Sequence, residues 1–113
     1  MFVDARVQLR LGRAEEAGPE DALLIEGDGP AEPGRAAAYF RPAPSAHQPG
    51  CACCLPRGEA ARALTRLFLA RARGEVPQFR RVLAVPATEA GEADLRAALL
   101  ADPLVSGRFR LVA

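Results

Sequence analysis

The chain has 113 residues, of which 50% are hydrophobic, and its 15 Lys and Arg against 14 Asp and Glu give a formal net charge of +1. This length suits one domain over residues 1–113, and the charges are scattered rather than gathered into the basic stripe that nucleic-acid binding requires. Every Lys or Arg position holds arginine, so the Gly-Lys-Ser/Thr core of a P-loop is absent and phosphoryl transfer by that route is excluded.

The compartment is indicated by the apolar runs and the cysteines. No apolar run approaches the roughly twenty residues that cross a bilayer, and residues 1–10 mix charges into their apolar positions, unlike a signal peptide. The 3 cysteines form a poor disulfide framework but a reasonable metal or thiol site in a reducing environment. We therefore predict a soluble cytoplasmic protein without a membrane partner.

The first half of the chain is predicted to contain little regular structure. Residues 5–11 alternate polar and apolar, which predicts a strand with one covered face in an outer position of a sheet. Residues 22–25 are a short apolar run that fits either a second strand or one helical turn. Residues 27–50 are rich in Gly and Pro, which predicts a long loop with a possible short element at 36–40.

The second half alternates helices and strands. An amphipathic helix is predicted over residues 59–73, and a strand covered on both faces over 82–85. A second helix over 91–101 and a final strand over 109–112 follow. This alternation predicts an α/β fold with a small, mostly parallel sheet flanked by helices.

The motif that carries chemistry is Cys51-Ala52-Cys53-Cys54. Tetrahedral zinc needs converging thiolates, and Gly50 and Pro56 allow the bend that would bring all three sulfurs together. We predict a site for zinc or another soft transition metal at Cys51, Cys53 and Cys54. A fourth ligand is also needed, and the candidates are His47, Glu16, Glu59, water or a group from a partner chain.

Simpler interpretations remain open for each of these residues. The cysteines could be small buried residues or an oxidisable cluster, although a redox protein would be expected to have Cys-x-x-Cys spacing. His47 lies in a Pro-rich stretch where a solvated side chain is the ordinary outcome. The acidic residues at 15, 16, 20 and 21 are predicted to form a solvated surface, and no nucleophile is accompanied by a plausible base, so we expect no enzymatic activity.

Residues 50–55, Gly-Cys-Ala-Cys-Cys-Leu, followed by Arg57-Gly58-Glu59, resemble the metal motif of the CobW family of metal-trafficking GTPases. The resemblance continues through residues 63–68, 74–77, 81–83 and 99–104, and extends more weakly over 7–24. It implies a partial P-loop GTPase-like domain in which Cys51, Cys53 and Cys54 are metal ligands and Glu16 is a further candidate.

Departures from the family are as informative. The P-loop and its helix are missing, residues 85–88 (Val-Pro-Ala-Thr) replace the family's catalytic Glu and Gly, and the guanine-reading Lys-x-Asp is absent. The resemblance therefore implies a metal-binding accessory protein, resembling a metallochaperone, that binds no nucleotide. Its expected partners are a metal ion and either a recipient protein or a second copy of the chain. The alternative is a pseudo-GTPase interaction module with inert cysteines.

The missing P-loop strand also leads to a prediction about the sheet. In the family that strand lies between the two strands that correspond here to residues 82–85 and 109–112. Its loss would leave unpaired backbone edges. We predict that these two strands become direct parallel neighbours, and that the strand at 5–11 lies outside them.

Overall fold

The computed structural model of the protein describes residues 4–29, 31, 33–42 and 58–112. Five strands, three helices and one 3-10 turn at Ala14–Glu16 follow one another along these residues. The strands are β1 (Val7–Leu11), β2 (Asp21–Glu26), β3 (Ala37–Phe40), β4 (Arg81–Val85) and β5 (Phe109–Leu111). The helices are α1 (Glu59–Ala72), α2 (Glu89–Ala101) and α3 (Pro103–Ser106).

All five strands are parallel and form one sheet in the order β3-β2-β4-β1-β5. The predicted small parallel sheet flanked by helices is therefore correct as a fold class. Because the strands are parallel, all of their carboxyl ends lie along the same edge of the sheet, which we call the carboxyl edge.

The connections use the two faces of the sheet according to their direction. The links from β3 to β4 and from β4 to β5 run one way across the sheet and contain α1, α2 and α3, which contact one another. The links from β1 to β2 and from β2 to β3 run the other way, and their Ala17 and Ala31 pack with Leu23, Ile25 and Leu83 on the opposite face. Crossover connections between parallel strands are right-handed. The connecting segments must therefore lie on the other face of the sheet when the chain reverses its direction across the sheet.

The larger core lies between the helices and the sheet. Leu9, Leu24, Val82, Leu64 and Leu95 are fully buried there, contributed by three strands and two helices. Within the described part of the chain, short loops cover the opposite face over β2 and β4. The face of the sheet that packs against the helices and the face that packs against the loops thus differ in composition along the same strands.

The end of α1 and the start of α2 are both set by local capping interactions. At the end of α1, Gly74 has a φ of 71°, and the amides of Gly74 and Glu75 donate to the carbonyls of Arg71 and Ala70, a Schellman arrangement. Helix α2 begins at Glu89, two residues earlier than predicted, because the Thr88 hydroxyl accepts the Gly91 amide. The short α3 was not predicted.

The predicted strand neighbours are wrong. β1 lies between β4 and β5 and pairs with both, so it is an inner strand, and the outer strands are β3 and β5. The alternation of polar and apolar residues in β1 therefore has a cause other than an outer position in the sheet. Val7 and Leu9 face the helices, whereas Gln8 and Arg10 face the side of the sheet opposite the described helices.

The structure decides two predictions that left alternatives open in the first half. Residues 22–25 belong to a strand, β2, whose residues 21–25 are buried on both faces. The short element considered at 36–40 within the predicted loop is confirmed as strand β3 at 37–40, where Ala38 and Phe40 pack against the helical core. Among the described residues, no helix has both the length and the apolar character needed to cross a membrane.

Candidate functional site

The four predicted metal ligands, Cys51, Cys53, Cys54 and His47, lie outside the described residues. The described chain stops at Pro42, two residues beyond β3, and resumes at Gly58, one residue before α1. Strand β3 ends at the carboxyl edge of the sheet, and helix α1 begins there, so both points lie along that edge. What the structure adds is the chemistry of the surroundings to which this segment is attached.

The first attachment point is the end of β3. The Gly27 amide donates to the Phe40 carbonyl at 2.9 Å, and the next residue, Arg41, forms an ion pair with Asp28. Both partners follow β2 directly. The chain entering the cysteine segment is therefore held against the end of the neighbouring strand.

The second attachment point is the start of α1. The Ala60 amide donates to Asp94 Oδ2 of α2 at 3.0 Å, which satisfies one of the unpaired amides at this helix end. A Cβ atom at residue 58 would overlap the same carboxylate, so glycine is required for this close approach. Glu59, a candidate ligand, is 40% exposed and lies 3.7 Å from Arg62.

The other carboxylate candidate, Glu16, has an internal role. Its Oε1 accepts the Arg13 amide at 2.6 Å, and it lies next to Gly12 and Leu83 on the face opposite the helices. The Gly12 amide donates to the Ala84 carbonyl at 2.9 Å. Glu16 and Glu59 are thus on opposite sides of the sheet, and the amides just after β1 are already bonded within the chain.

Between β2 and β4 the sheet has a switch point, because the chain leaves β2 toward one side and leaves β4 toward the other. Such crevices at the carboxyl edge are the usual ligand sites of α/β sheets. Here Glu26 fills the position. Its carboxylate accepts the Ala87 amide at 2.7 Å, the Thr88 amide at 2.9 Å and the Thr88 hydroxyl at 2.6 Å. The α2 N-terminus is therefore neutralised by the protein's own carboxylate.

The electrostatics of Glu26 follow from these contacts. Partial burial by itself would raise the pKa of the carboxyl, but the hydrogen bonds from the Thr88 hydroxyl and from the Ala87 and Thr88 amides outweigh it and lower the pKa below the usual 4.5. The ionised form is the one that these donors stabilise. Glu26 thus joins β2 to the start of α2 as a carboxylate.

This gives a prediction for Glu26→Gln. A carboxyl whose pKa is lowered in the folded state stabilises fully above its unfolded pKa, and that contribution is lost as the pH falls below 4.5 through the folded pKa. We expect the variant to lose about 1 kcal/mol of unfolding free energy at neutral pH. Urea unfolding at pH 7 and pH 3 should show the difference from the natural chain shrinking at the lower pH; an equal difference at both would contradict the assignment.

Gly91→Ala tests the same contact by geometry. A Cβ atom at residue 91 would overlap the Glu26 carboxylate, so the substitution should destabilise the natural chain. In a Glu26→Ala background the overlap is gone, and the better helix propensity of alanine should then stabilise by up to about 1 kcal/mol. A reversal of sign in this double-mutant cycle is the expected result.

A buried carboxylate, Asp21, lies at the opposite end of β2. Asp21, 4% exposed, accepts the Gly18 amide at 2.8 Å and Arg81 Nε at 3.0 Å, with Arg10 Nη2 at 3.6 Å. The prediction that the acidic residues at 15, 16, 20 and 21 are all solvated is wrong for Asp21. Asp21 is the first residue of β2 and therefore lies within the sheet. There, two arginine side chains and one backbone amide contact its carboxylate in place of water.

Glu26, Asp94 and Asp21 were not singled out from the sequence. A weak signal existed for Glu26, since it is an acidic residue between a buried apolar run and Gly27, as expected at a strand's carboxyl end. Nothing in the spacing indicates that Asp94, an acidic residue within a helix, would contact the start of another helix. That contact depends on how α1 and α2 pack.

Within residues 4–29, 31, 33–42 and 58–112, no three His, Cys, Asp or Glu side chains converge in a way that could hold a metal ion. Comparison of the chain with protein-family models, with curated proteins and with solved structures found no match.

Proposed function

We propose that this protein binds zinc, or a similar soft transition metal, through Cys51, Cys53 and Cys54, and that it acts as a cytoplasmic metal-handling accessory protein. The observation that carries the proposal is the presence of three thiols within four consecutive positions. Thiolates are the preferred ligands of zinc and copper(I), and such clustering is uncommon in a chain with no other cysteine.

The attachment of the cysteine segment supports this proposal. One end is tied to β2 through the Phe40 carbonyl, and the other is tied to α2 through Asp94. Fixing both ends of a segment reduces the entropy that a metal must overcome to order it. The attachments also lie along the carboxyl edge, where α/β sheets usually bind ligands.

For the fourth ligand we favour His47 or Glu59 over Glu16. Glu59 begins α1 directly after the cysteine segment and is 40% exposed, so its carboxylate is available. Glu16 is bonded to the Arg13 amide on the other side of the sheet. Water or a group from a recipient protein would also complete a site intended for transfer, since catalytic and transfer sites keep an open position.

We also propose that the fold is a reduced relative of the P-loop GTPase sheet, as the CobW resemblance implies. β1 occupies the position between β4 and β5 that the resemblance assigns to the P-loop strand. Among the described residues, β1 leads into a single 3-10 turn at Ala14–Glu16 rather than into a helix. This arrangement fits a sheet that has kept its strand order while losing its phosphate loop.

A prediction about nucleotide follows from that turn. Phosphate loops present free amides to the ligand, whereas the Gly12 and Arg13 amides are bonded to Ala84 and to the Glu16 carboxylate. We expect no GTP or ATP hydrolysis above background and no tight binding. Calorimetry with magnesium present is the measurement, and tight guanine nucleotide binding would overturn the prediction.

The second candidate function is a pseudo-GTPase interaction module with inert cysteines. It is favoured by the polar surface of β1 and β5 on the face opposite the described helices, which contains the exposed Gln8. Metal analysis of protein purified without chelator separates the two functions. Absence of metal, and no uptake from a zinc-buffered solution, would favour the interaction module.

A further inference from the structure

The face of the sheet opposite the helices has an arginine surface, which we define as Arg6, Gln8, Arg10, Arg81 and Arg110. The register aligns Arg110, Gln8 and Arg81 in one row across β5, β1 and β4. Arg10 lies two residues further along β1 on the same face. Parallel sheets normally bury both faces under apolar elements. Here the row is polar and Gln8, at its centre, is exposed.

The charges on this surface are not balanced. Asp4 lies against two arginines, 2.7 Å from Arg6 and 3.3 Å from Arg110. Asp21 is likewise shared, between Arg81 at 3.0 Å and Arg10 at 3.6 Å. Each carboxylate therefore serves two guanidinium groups.

A further charged pair lies at the border of this surface. Arg80 lies 3.8 Å from Glu20, which also lies 3.9 Å from Arg81. The ion pairs named here thus join five arginines to three carboxylates of the described residues, and these paired groups carry two positive charges in excess.

The side chains of the four arginines are partly exposed to solvent. The side chains of Arg6, Arg10, Arg81 and Arg110 are 39%, 35%, 47% and 40% exposed. Their intramolecular contacts hold them in place without enclosing them. An arginine that is fixed in this way loses less entropy when it binds a second carboxylate, and its planar fork allows bidentate hydrogen bonds.

We propose that this arginine surface binds an acidic segment of a partner protein. Arginine clusters are a recurring means of recognising acidic motifs. Arg110 and Arg81 are two strand spacings apart, about 10 Å, a distance that about three residues of an extended peptide span. One peptide therefore contacts both ends of the row, with Gln8 between them as a neutral hydrogen-bonding group.

Nucleic acid fits the same surface less well. Single strands are bound by stacking on aromatic side chains, and Tyr39, the exposed aromatic residue of the described chain, lies on β3 at the far side of the sheet. A duplex-binding surface commonly neutralises about six to ten phosphates, which exceeds the two positive charges in excess here.

The test measures the anisotropy of a fluorescein-labelled decaglutamate peptide with the full chain, at low and at physiological salt. We expect binding that weakens with salt, and a roughly threefold to tenfold loss of affinity in Gln8→Glu, which introduces a negative charge into the row. Gln78→Glu is the matched control, because it changes the net charge equally but lies beside Arg71 of α1. It should bind as the natural chain does.

Loss of folding does not explain the expected result, because a carboxylate between two arginines should maintain or raise stability. Urea unfolding of Gln8→Glu checks this, and Gln8→Arg should bind the peptide more tightly. Equal peptide affinity in Gln8→Glu and the natural chain, or no binding at low salt, would overturn the proposal. Tighter binding of an oligothymidylate of equal charge would assign the surface to nucleic acid instead.

Discussion

Replacing Cys51, Cys53 and Cys54 together with serine should abolish zinc binding, whereas the natural chain should bind about one zinc, or one for every two chains if two motifs share the ion. A hydroxyl is a much poorer ligand than a thiolate for a soft ion. Cys53→Ser alone should therefore weaken affinity by more than the roughly 10- to 100-fold that follows loss of a group hydrogen-bonded to a ligand. Competition with a chromophoric chelator measures both effects.

Matched variants identify the remaining ligand in the same assay. Glu16→Gln should leave zinc affinity unchanged, because this carboxylate is bonded to the Arg13 amide across the sheet from α1. His47→Ala and Glu59→Gln distinguish the two favoured candidates, since only the true ligand should reduce affinity. Full zinc occupancy in the triple serine variant would contradict the proposed function.

Asp21→Ala should be strongly destabilising, by about 2 to 4 kcal/mol. The carboxylate is 4% exposed, and its removal leaves the Gly18 amide unpaired and separates Arg10 and Arg81 from their shared partner. Breaking a buried ion pair typically costs about 3 to 5 kcal/mol. The lower range applies here because both arginines are partly exposed and regain water. Urea unfolding at neutral pH measures the loss.

Asp28→Ala is the control for this prediction. Asp28 also pairs with an arginine, Arg41, but its side chain is 81% exposed, so the substitution should change the unfolding free energy by less than about 1 kcal/mol. Asp21→Asn should fall between the two, since its amide oxygen still accepts one hydrogen bond. Comparable losses in Asp21→Ala and Asp28→Ala would show that burial of Asp21 contributes nothing.

The Asp21 substitutions should not affect zinc binding. Asp21 begins β2, at the end of the strand opposite the carboxyl edge to which the cysteine segment is attached. The stability and metal-binding predictions are therefore independent. A variant that lost both would indicate that the metal stabilises the whole sheet.

Local chemistry in the sequence predicted the second half of the fold closely. Helix α1, strand β4 and strand β5 agree with their predicted spans to within about one residue, and Gly74 ends α1 as expected. These elements are long or strongly patterned, and their signals depend only on nearby residues. The parallel α/β class followed from their alternation.

The order of the strands in the sheet could not be predicted from local sequence patterns in the same way. The alternation in residues 7–11 indicates that one face is covered, but an inner strand over an open face and an outer strand produce the same pattern. Only packing of the chain distinguishes them, and it put β1 between β4 and β5. Likewise β3 was predicted within a loop because four residues in a Gly- and Pro-rich stretch have too little pattern to identify a strand.

By itself the sequence determined the chemistry that this protein has available, namely three clustered thiols, arginine as the only strong base and no P-loop. Tertiary structure alone decided which charged groups meet. Glu26 reached the start of α2, Asp94 reached the start of α1, and Asp21 reached two arginines across the sheet. Apart from the pair of Asp21 with Arg10, these contacts join residues 34 to 62 positions apart, and their partners are selected by strand order and helix packing, which no local pattern encodes.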